Sequence, residues 1–387
     1  MLRKKSTVLR ASLAARASGS GPIAASSKKK SPDLLAKGKQ PIAWKKLGVE
    51  ITAMQSGGDL QGFLQLQEKI LALSPEELIS AFDEVAALDL PDESKERLQR
   101  LLFHQLCEKD PELAMKHCFE QINAEDENMR FQLVRTMTNW AGKNPAAAAD
   151  WFDQQIAAGK FDSKSLDGKN KARMQFESAL IGALISTDLA AATARLKSLP
   201  EDQQSDTLCG FELTQGANLL AYANLVRGRL PQEAQEKVFA WHAGNKVSEG
   251  YAGVTEYLDR IKATPTERAV CVEKAATARI RQLSQDKKVS REDIDTMREW
   301  VASQGPGTTD RLTGKVLGES MKANQKLSFP EAAVLAAHYH TASGNDETLI
   351  GFLTSFDLKK QPSEQVRDMI SMISDAKQRD AILSRLK

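Results

Sequence analysis

The sequence predicts an all-α protein of stacked helical hairpins behind a disordered basic N-terminal tail. Three observations lead to this prediction. Helix-start signals recur along the chain, and the apolar residues between them have helical spacing. No run of five or more residues alternates apolar and polar side chains with the β-branched enrichment of a strand. We therefore expect about eighteen helices of roughly ten to eighteen residues, joined by short turns.

Length and composition limit the architecture. A single hydrophobic core stops growing at roughly 250–300 residues, so a chain of 387 residues predicts two domains or an elongated stack. No stretch approaches the ~18 consecutive apolar residues of a membrane-spanning helix. Four cysteines (Cys107, Cys118, Cys209 and Cys271) are too sparse for a disulfide scaffold and favour either a reducing compartment or buried free thiols. Of the possible locations, the cytoplasm is favoured.

The first 40 residues differ in charge from the rest of the chain. They contain ten Lys and Arg and one acid, Asp33, which gives +9, whereas the total of +2 leaves −7 for residues 41–387. This composition predicts a disordered tail, and three roles remain open. The tail is a solvated extension, an organelle-targeting segment, or a contact for nucleic-acid phosphates or an anionic membrane. Lys28, Lys29 and Lys30 are the candidate anion-contacting residues.

The body, residues 41–387, begins its helices with recognisable caps. Ser74–Glu77 reads as a capping box with proline at the first helical position, and Thr264–Glu267 has the same pattern. Ser328–Glu331 has the same serine-to-glutamate spacing. We expect this body to be most regular over residues 90–200 and less regular over residues 201–387.

One kind of corner recurs in the regular part. Asn144-Pro145 separates an apolar helix from an alanine-rich one, and Asp110-Pro111 and Asp188-Leu189 align with it. Aligned positions share their character, namely Leu106, Trp140 and Leu184 before the cap and Ala114, Ala148, Ala192, Cys118, Phe152 and Leu196 after it. The corners predict a two-helix repeat of about 34–45 residues, although an irregular bundle with chance similarity remains the alternative.

This pattern is similar to the tetratricopeptide and HEAT class of α-helical repeats (α-solenoids) in period and helix pairing. The similarity covers residues 90–290 and departs from the tetratricopeptide consensus, because Trp-x-x-Leu-Gly-x-x-Tyr does not occur. Stacks of this class present a concave surface to another protein. The resemblance therefore implies a protein-binding role.

The sequence predicts no catalytic, cofactor-binding or metal site. His104, Cys107, His117 and Cys118 have the side chains of a zinc site, but adjacent helical residues point ~100° apart, which favours a buried thiol beside surface histidines. Residues 305–316 contain Gly314-Lys315 but lack the other positions of a phosphate loop, and we interpret them as an inter-helix turn.

The most aromatic part of the body is residues 209–260. If a recognition groove exists, we expect Tyr222, Arg227, Arg229 and Trp241 to contribute to it. Core packing explains the same residues equally well.

The function that the sequence favours is a non-catalytic helical-repeat protein that mediates protein–protein interaction. Two alternatives remain. The chain is an enzyme on an all-α scaffold without a linear motif, or the basic tail recruits the body to nucleic acid or a membrane surface. The sequence does not identify a partner.

Overall fold

A computed structural model of the protein describes residues 43–45, 67–119, 127–163, 165–211, 218–321 and 327–386. These ranges contain eighteen complete α-helices and three short 3-10 turns, and they contain no strand. The prediction of an all-α protein is confirmed. Residues 1–40, with Lys28, Lys29 and Lys30, lie outside the described residues.

The helices follow one another with short connections. Their bounds are α1 Pro75–Ala87, α2 Asp92–Lys109, α3 Pro111–Cys118, α4 Glu127–Lys143, α5 Pro145–Ala157, α6 Lys171–Thr187, α7 Leu189–Lys197, α8 Glu201–Cys209, α9 Leu219–Arg229, α10 Gln232–Lys246, α11 Gly250–Arg260, α12 Pro265–Asp286, α13 Arg291–Gln304, α14 Thr309–Glu319, α15 Phe329–Ser343, α16 Glu347–Thr354, α17 Ser363–Ser371 and α18 Ala376–Ser384. None of the described helices combines the length and the apolar character needed to cross a lipid bilayer.

Capping boxes begin four of these helices. Those of α1 and α12, at Ser74 and Thr264, form as the sequence predicts, with reciprocal bonds to the glutamate three residues later. The Ser328 N–H of α15 donates to the Glu331 carboxylate at 2.9 Å. Ser290 begins α13 with an aspartate, Asp293, in place of the glutamate.

The three aligned corners share one geometry. Asp110, Asn144 and Asp188 have φ of −141°, −148° and −149° and ψ of 87°, 79° and 85°. Each side-chain oxygen accepts the N–H of the residue three positions on, at 2.9, 3.2 and 2.9 Å. Each backbone N–H also bonds to the carbonyl four residues before it. One residue therefore ends a helix and caps the next.

Side chains after these corners pack in equivalent ways. Ala114, Ala148 and Ala192, four residues past the caps, are all inaccessible to solvent. The larger residues eight positions past the caps are also fully buried, namely Cys118, Phe152 and Leu196. A methyl group at the helix crossing lets the backbones approach, while the larger side chain fills the space beyond it.

Packing between helices follows chain order. Each even-numbered helix packs on the next even-numbered helix, from α2 to α18. Odd-numbered helices pack mainly on their chain neighbours, although α9 also packs directly on α7 and α11. Among the described helices, pairs with substantial packing lie no more than three helices apart in sequence.

Buried apolar side chains form two clusters. One includes Trp44 and extends to Leu180, and the other begins at Ile181 and extends to Ile382. The two clusters therefore meet within α6.

The interpretation of residues 305–316 as a turn is wrong for most of its length. Only residues 305–308 connect helices, and α14 begins at Thr309. A Cβ atom at Gly314 would overlap the carbonyl oxygen of Thr348, and one at Gly351 would overlap that of Arg311. The glycine at 314 therefore permits close approach of α14 and α16, whereas in the sequence it resembles a loop residue.

Candidate functional site: the α5–α7 groove

A groove with a volume of about 810 Å³ lies between α5 and α7, over α6. We call it the α5–α7 groove. Its lining residues are Pro145, Ala146, Ala149, Asp150, Asp153, Ile156, Ala157, Arg173, Glu177, Leu184, Thr187, Asp188, Ala191, Ala194, Arg195 and Ser198. This volume lies within the range of typical ligand-binding clefts.

The two helices that form the walls of the groove each begin at one of the aligned corners. The α5 and α7 helices both start immediately after an equivalent cap, Asn144 or Asp188, and α6 passes between these two starts. Alanines on one face of each helix turn toward the groove, at 146, 149 and 157 on α5 and at 191 and 194 on α7. Because these side chains end at Cβ, the backbones of both walls are accessible to a closely approaching ligand.

An ion-pair network joins the three helices beside the groove. Arg195 of α7 donates from Nε to Glu177 of α6 at 2.5 Å, and from its terminal nitrogens to Asp153 of α5 at 2.8 and 3.2 Å. Its guanidinium carbon also lies 5.3 Å from the Phe152 ring centroid. Burial raises the pKa of Glu177, whose side chain is only 3% exposed, and Arg195 opposes this shift. The network fixes the position of the walls relative to the floor.

Charge in the groove is unbalanced. Four carboxylates (Asp150, Asp153, Glu177, Asp188) and two guanidiniums (Arg173, Arg195) line it, which gives −2. Arg195 is bonded to Glu177 and Asp153 within the wall. The buried Nε of Arg173 has no hydrogen-bond partner among the described residues. Asp150 is exposed and has no ion-pair partner within the described part of the chain. The rim is therefore open to a cationic group.

A second depression, of about 400 Å³, lies between α10, α12 and α14. Four glutamates and four cations line it in balanced number, namely Glu233, Glu236, Glu273, Glu319, Lys237, Lys274, Arg281 and Lys315. Lys315 and Glu273 pair across it. Because its charges balance, this depression does not favour a ligand of either charge.

The four residues predicted for a groove in residues 209–260 do not share one surface. Tyr222 is fully buried, and its hydroxyl donates to the Leu208 carbonyl oxygen at 2.9 Å. Arg227 donates to both carboxylate oxygens of Glu267 at 2.8 Å. Trp241 is exposed, at 48%. The buried Nε of Arg229 has no hydrogen-bond partner among the described residues.

The candidate zinc residues have other partners. His104 lies 2.7 Å from the Gln132 amide, and His117 Nε2 lies 3.1 Å from Asp83. Burial raises the pKa of the Cys107 and Cys118 thiols to about 12, which disfavours the thiolate form that binds metals. Within the described ranges, no group of three or more His, Cys, Asp and Glu residues is arranged to hold a metal ion.

No family model matches the chain, and no curated protein or solved structure matches it significantly. The charged residues Asp153, Glu177 and Arg195 were missed by sequence reasoning, because their pairings span 18 and 42 positions. The alanine face after Asn144 is the part of the site that the sequence reveals.

Proposed function

We propose that the protein is a non-catalytic α-helical repeat scaffold that holds a segment of another protein in the α5–α7 groove. The unbroken succession of even-numbered helices supports a stack of this kind, since each helix buries its apolar face against its neighbours. The shared backbone geometry of Asp110, Asn144 and Asp188 supports a repeated unit.

The groove itself carries the proposal. Its two alanine-lined walls leave a volume of about 810 Å³, and Arg195 ties both walls to the floor. A binding surface that is already ordered loses little conformational entropy when a partner binds. More of the free energy gained by burying apolar surface therefore contributes to affinity. The apolar walls bury apolar side chains of the bound segment, and the charged rim sets the orientation of that segment.

A blocking substitution tests this function. Ala149→Trp places a large side chain in the groove, and Ala302→Trp places the same side chain on an exposed position of α13 as the control. Both variants, and the parent, are immobilised as residues 41–387 and exposed to lysate, and retained proteins are quantified by mass spectrometry. We expect at least one protein to be retained by the parent and by Ala302→Trp but lost with Ala149→Trp.

The result that would contradict the proposal is equal retention of every protein by both variants, with unchanged melting temperatures. A thermal-shift screen against metabolites and metals tests the enzyme alternative separately. A ligand at about 100 times its dissociation constant stabilises the folded state by about 2.7 kcal/mol. A stabilising metabolite with turnover would favour the enzyme.

A further inference from the structure

We infer that the segment held in the α5–α7 groove is a cationic α-helix of another protein. This inference rests on the proposed function and specifies its partner. It follows from three properties of the groove, which are its charge, its small wall residues and its length.

The charge selects a cation. Asp150 and Asp153 lie three residues apart on α5, so they occupy neighbouring positions on one helix face. Asp153 remains 59% exposed even though Arg195 binds it. Asp188 adds a third carboxylate at the start of α7, where one of its oxygens accepts the Ala191 N–H. A ligand with lysine or arginine at helical spacing can face the α5 pair, whereas an anionic ligand would be repelled.

The small wall residues select a helix. Ala146, Ala149 and Ala157 of α5 face Ala191 and Ala194 of α7 across the groove. Two helix faces without long side chains permit a third helix to lie against them, with its apolar side chains directed toward Leu184 on the floor. The ligand's own backbone hydrogen bonds are satisfied internally, so these apolar walls need not supply partners for them.

The length of the groove sets the length of the ligand. Residues 146–157 of α5 extend for about 16 Å at 1.5 Å per residue, which corresponds to about three helical turns. We therefore expect the bound segment to contain about eleven residues, with its apolar face toward α6 and its cations at the α5 rim.

A designed peptide provides the probe. It is an amphipathic helix of about twelve residues, capped at both ends, with Leu and Ala on one face and Lys beside them. Two control peptides replace every Lys by Glu, or place two prolines at interior positions. Binding to the full chain and to residues 41–387 is measured by fluorescence anisotropy. We expect the Lys peptide to bind at least about tenfold more tightly than either control.

Charge reversal on the protein locates the contact. Asp150→Lys should weaken binding of the Lys peptide about tenfold or more, since it places a cation at the rim. Glu364→Lys, at an exposed position of α17, changes the net charge equally and should leave binding within about twofold. Ala149→Trp should abolish binding. Melting temperatures confirm that each variant is folded.

Two outcomes would overturn the inference. Equal binding of the Lys and Glu peptides, or equal loss with Asp150→Lys and Glu364→Lys, would exclude a cation-selective groove. If residues 41–387 bind the Lys peptide and the full chain does not, the groove would be assigned to the chain's own basic tail, residues 1–40, rather than to another protein. If the peptide fails but Ala149→Trp still releases a natural partner, only the partner chemistry is wrong. If both fail, the proposed function fails as well.

Discussion

At the scale of single residues, the buried imidazole of His242 has a clear consequence for stability. It is 2% exposed, and its Nε2 lies 2.9 Å from the Tyr222 hydroxyl and 3.0 Å from the Leu208 carbonyl oxygen. Burial lowers its pKa from 6.5 to about 4, although the bond to Leu208 opposes the shift and nearby Lys246 adds to it. The folded protein therefore holds this imidazole neutral at pH values where the unfolded chain protonates it.

The free energy of unfolding should consequently fall with acidification. The contribution of His242 is fully present above about pH 6.5 and is lost as the pH falls toward 4, because the unfolded state binds the proton first. The loss amounts to roughly 3 kcal/mol. Urea unfolding at pH 7, 6, 5 and 4 measures it, with His242→Phe as the comparison. Parallel pH dependence in both proteins would show that another group causes the loss.

At the scale of elements, the three corners lead to the same prediction for three different substitutions. Asp110→Ala, Asn144→Ala and Asp188→Ala should each lower the free energy of unfolding by about 1 kcal/mol, because each removes the same cap bond. Asn224→Ala, at an exposed position in the middle of α9, should instead raise it by a few tenths of a kcal/mol. Denaturant unfolding of the four variants measures these effects. A corner variant whose free energy of unfolding equals that of Asn224→Ala would contradict the capping role.

The contact of α14 with α16 predicts a larger effect. Gly314→Ala places a methyl group against the Thr348 carbonyl, and the forced separation of the helices should cost about 2 kcal/mol or more. The matched control is Gly228→Ala, where a Cβ atom would meet nothing within 4 Å. That change should stabilise the protein by about 0.5–1 kcal/mol. Similar melting temperatures for both variants would exclude the tight crossing as a source of stability.

Sequence reasoning succeeds for features that few neighbouring residues determine. Ser74, Thr264 and Asn144 act as caps because each cap depends on residues within three positions along the chain. It fails where distant helices decide the role. Gly314 resembles a turn residue until α16 is placed against it, and Tyr222 resembles a groove residue until α8 and α10 enclose it. The charged side of the α5–α7 groove was missed for the same reason.

At the scale of the whole molecule, packing between neighbours in chain order predicts that disturbances stay local. Gly314→Ala should increase hydrogen exchange in α12 to α16, which lie near the altered crossing, while amides of α1 to α3 keep their protection. Hydrogen–deuterium exchange with mass spectrometry at a low urea concentration measures this gradient. A uniform loss of protection in all the helices would indicate one cooperative unit and contradict a stack.

The meeting of the two apolar clusters within α6 governs how the molecule can be divided. Leu180 belongs to one cluster and Ile181 to the other, so a single peptide bond separates them and no loop lies at the junction. A protease can cut there only after α6 has unwound, which exposes both clusters at once. Gene truncations that end in α6 would likewise leave an unfinished apolar surface on either fragment, and such fragments should aggregate when expressed separately.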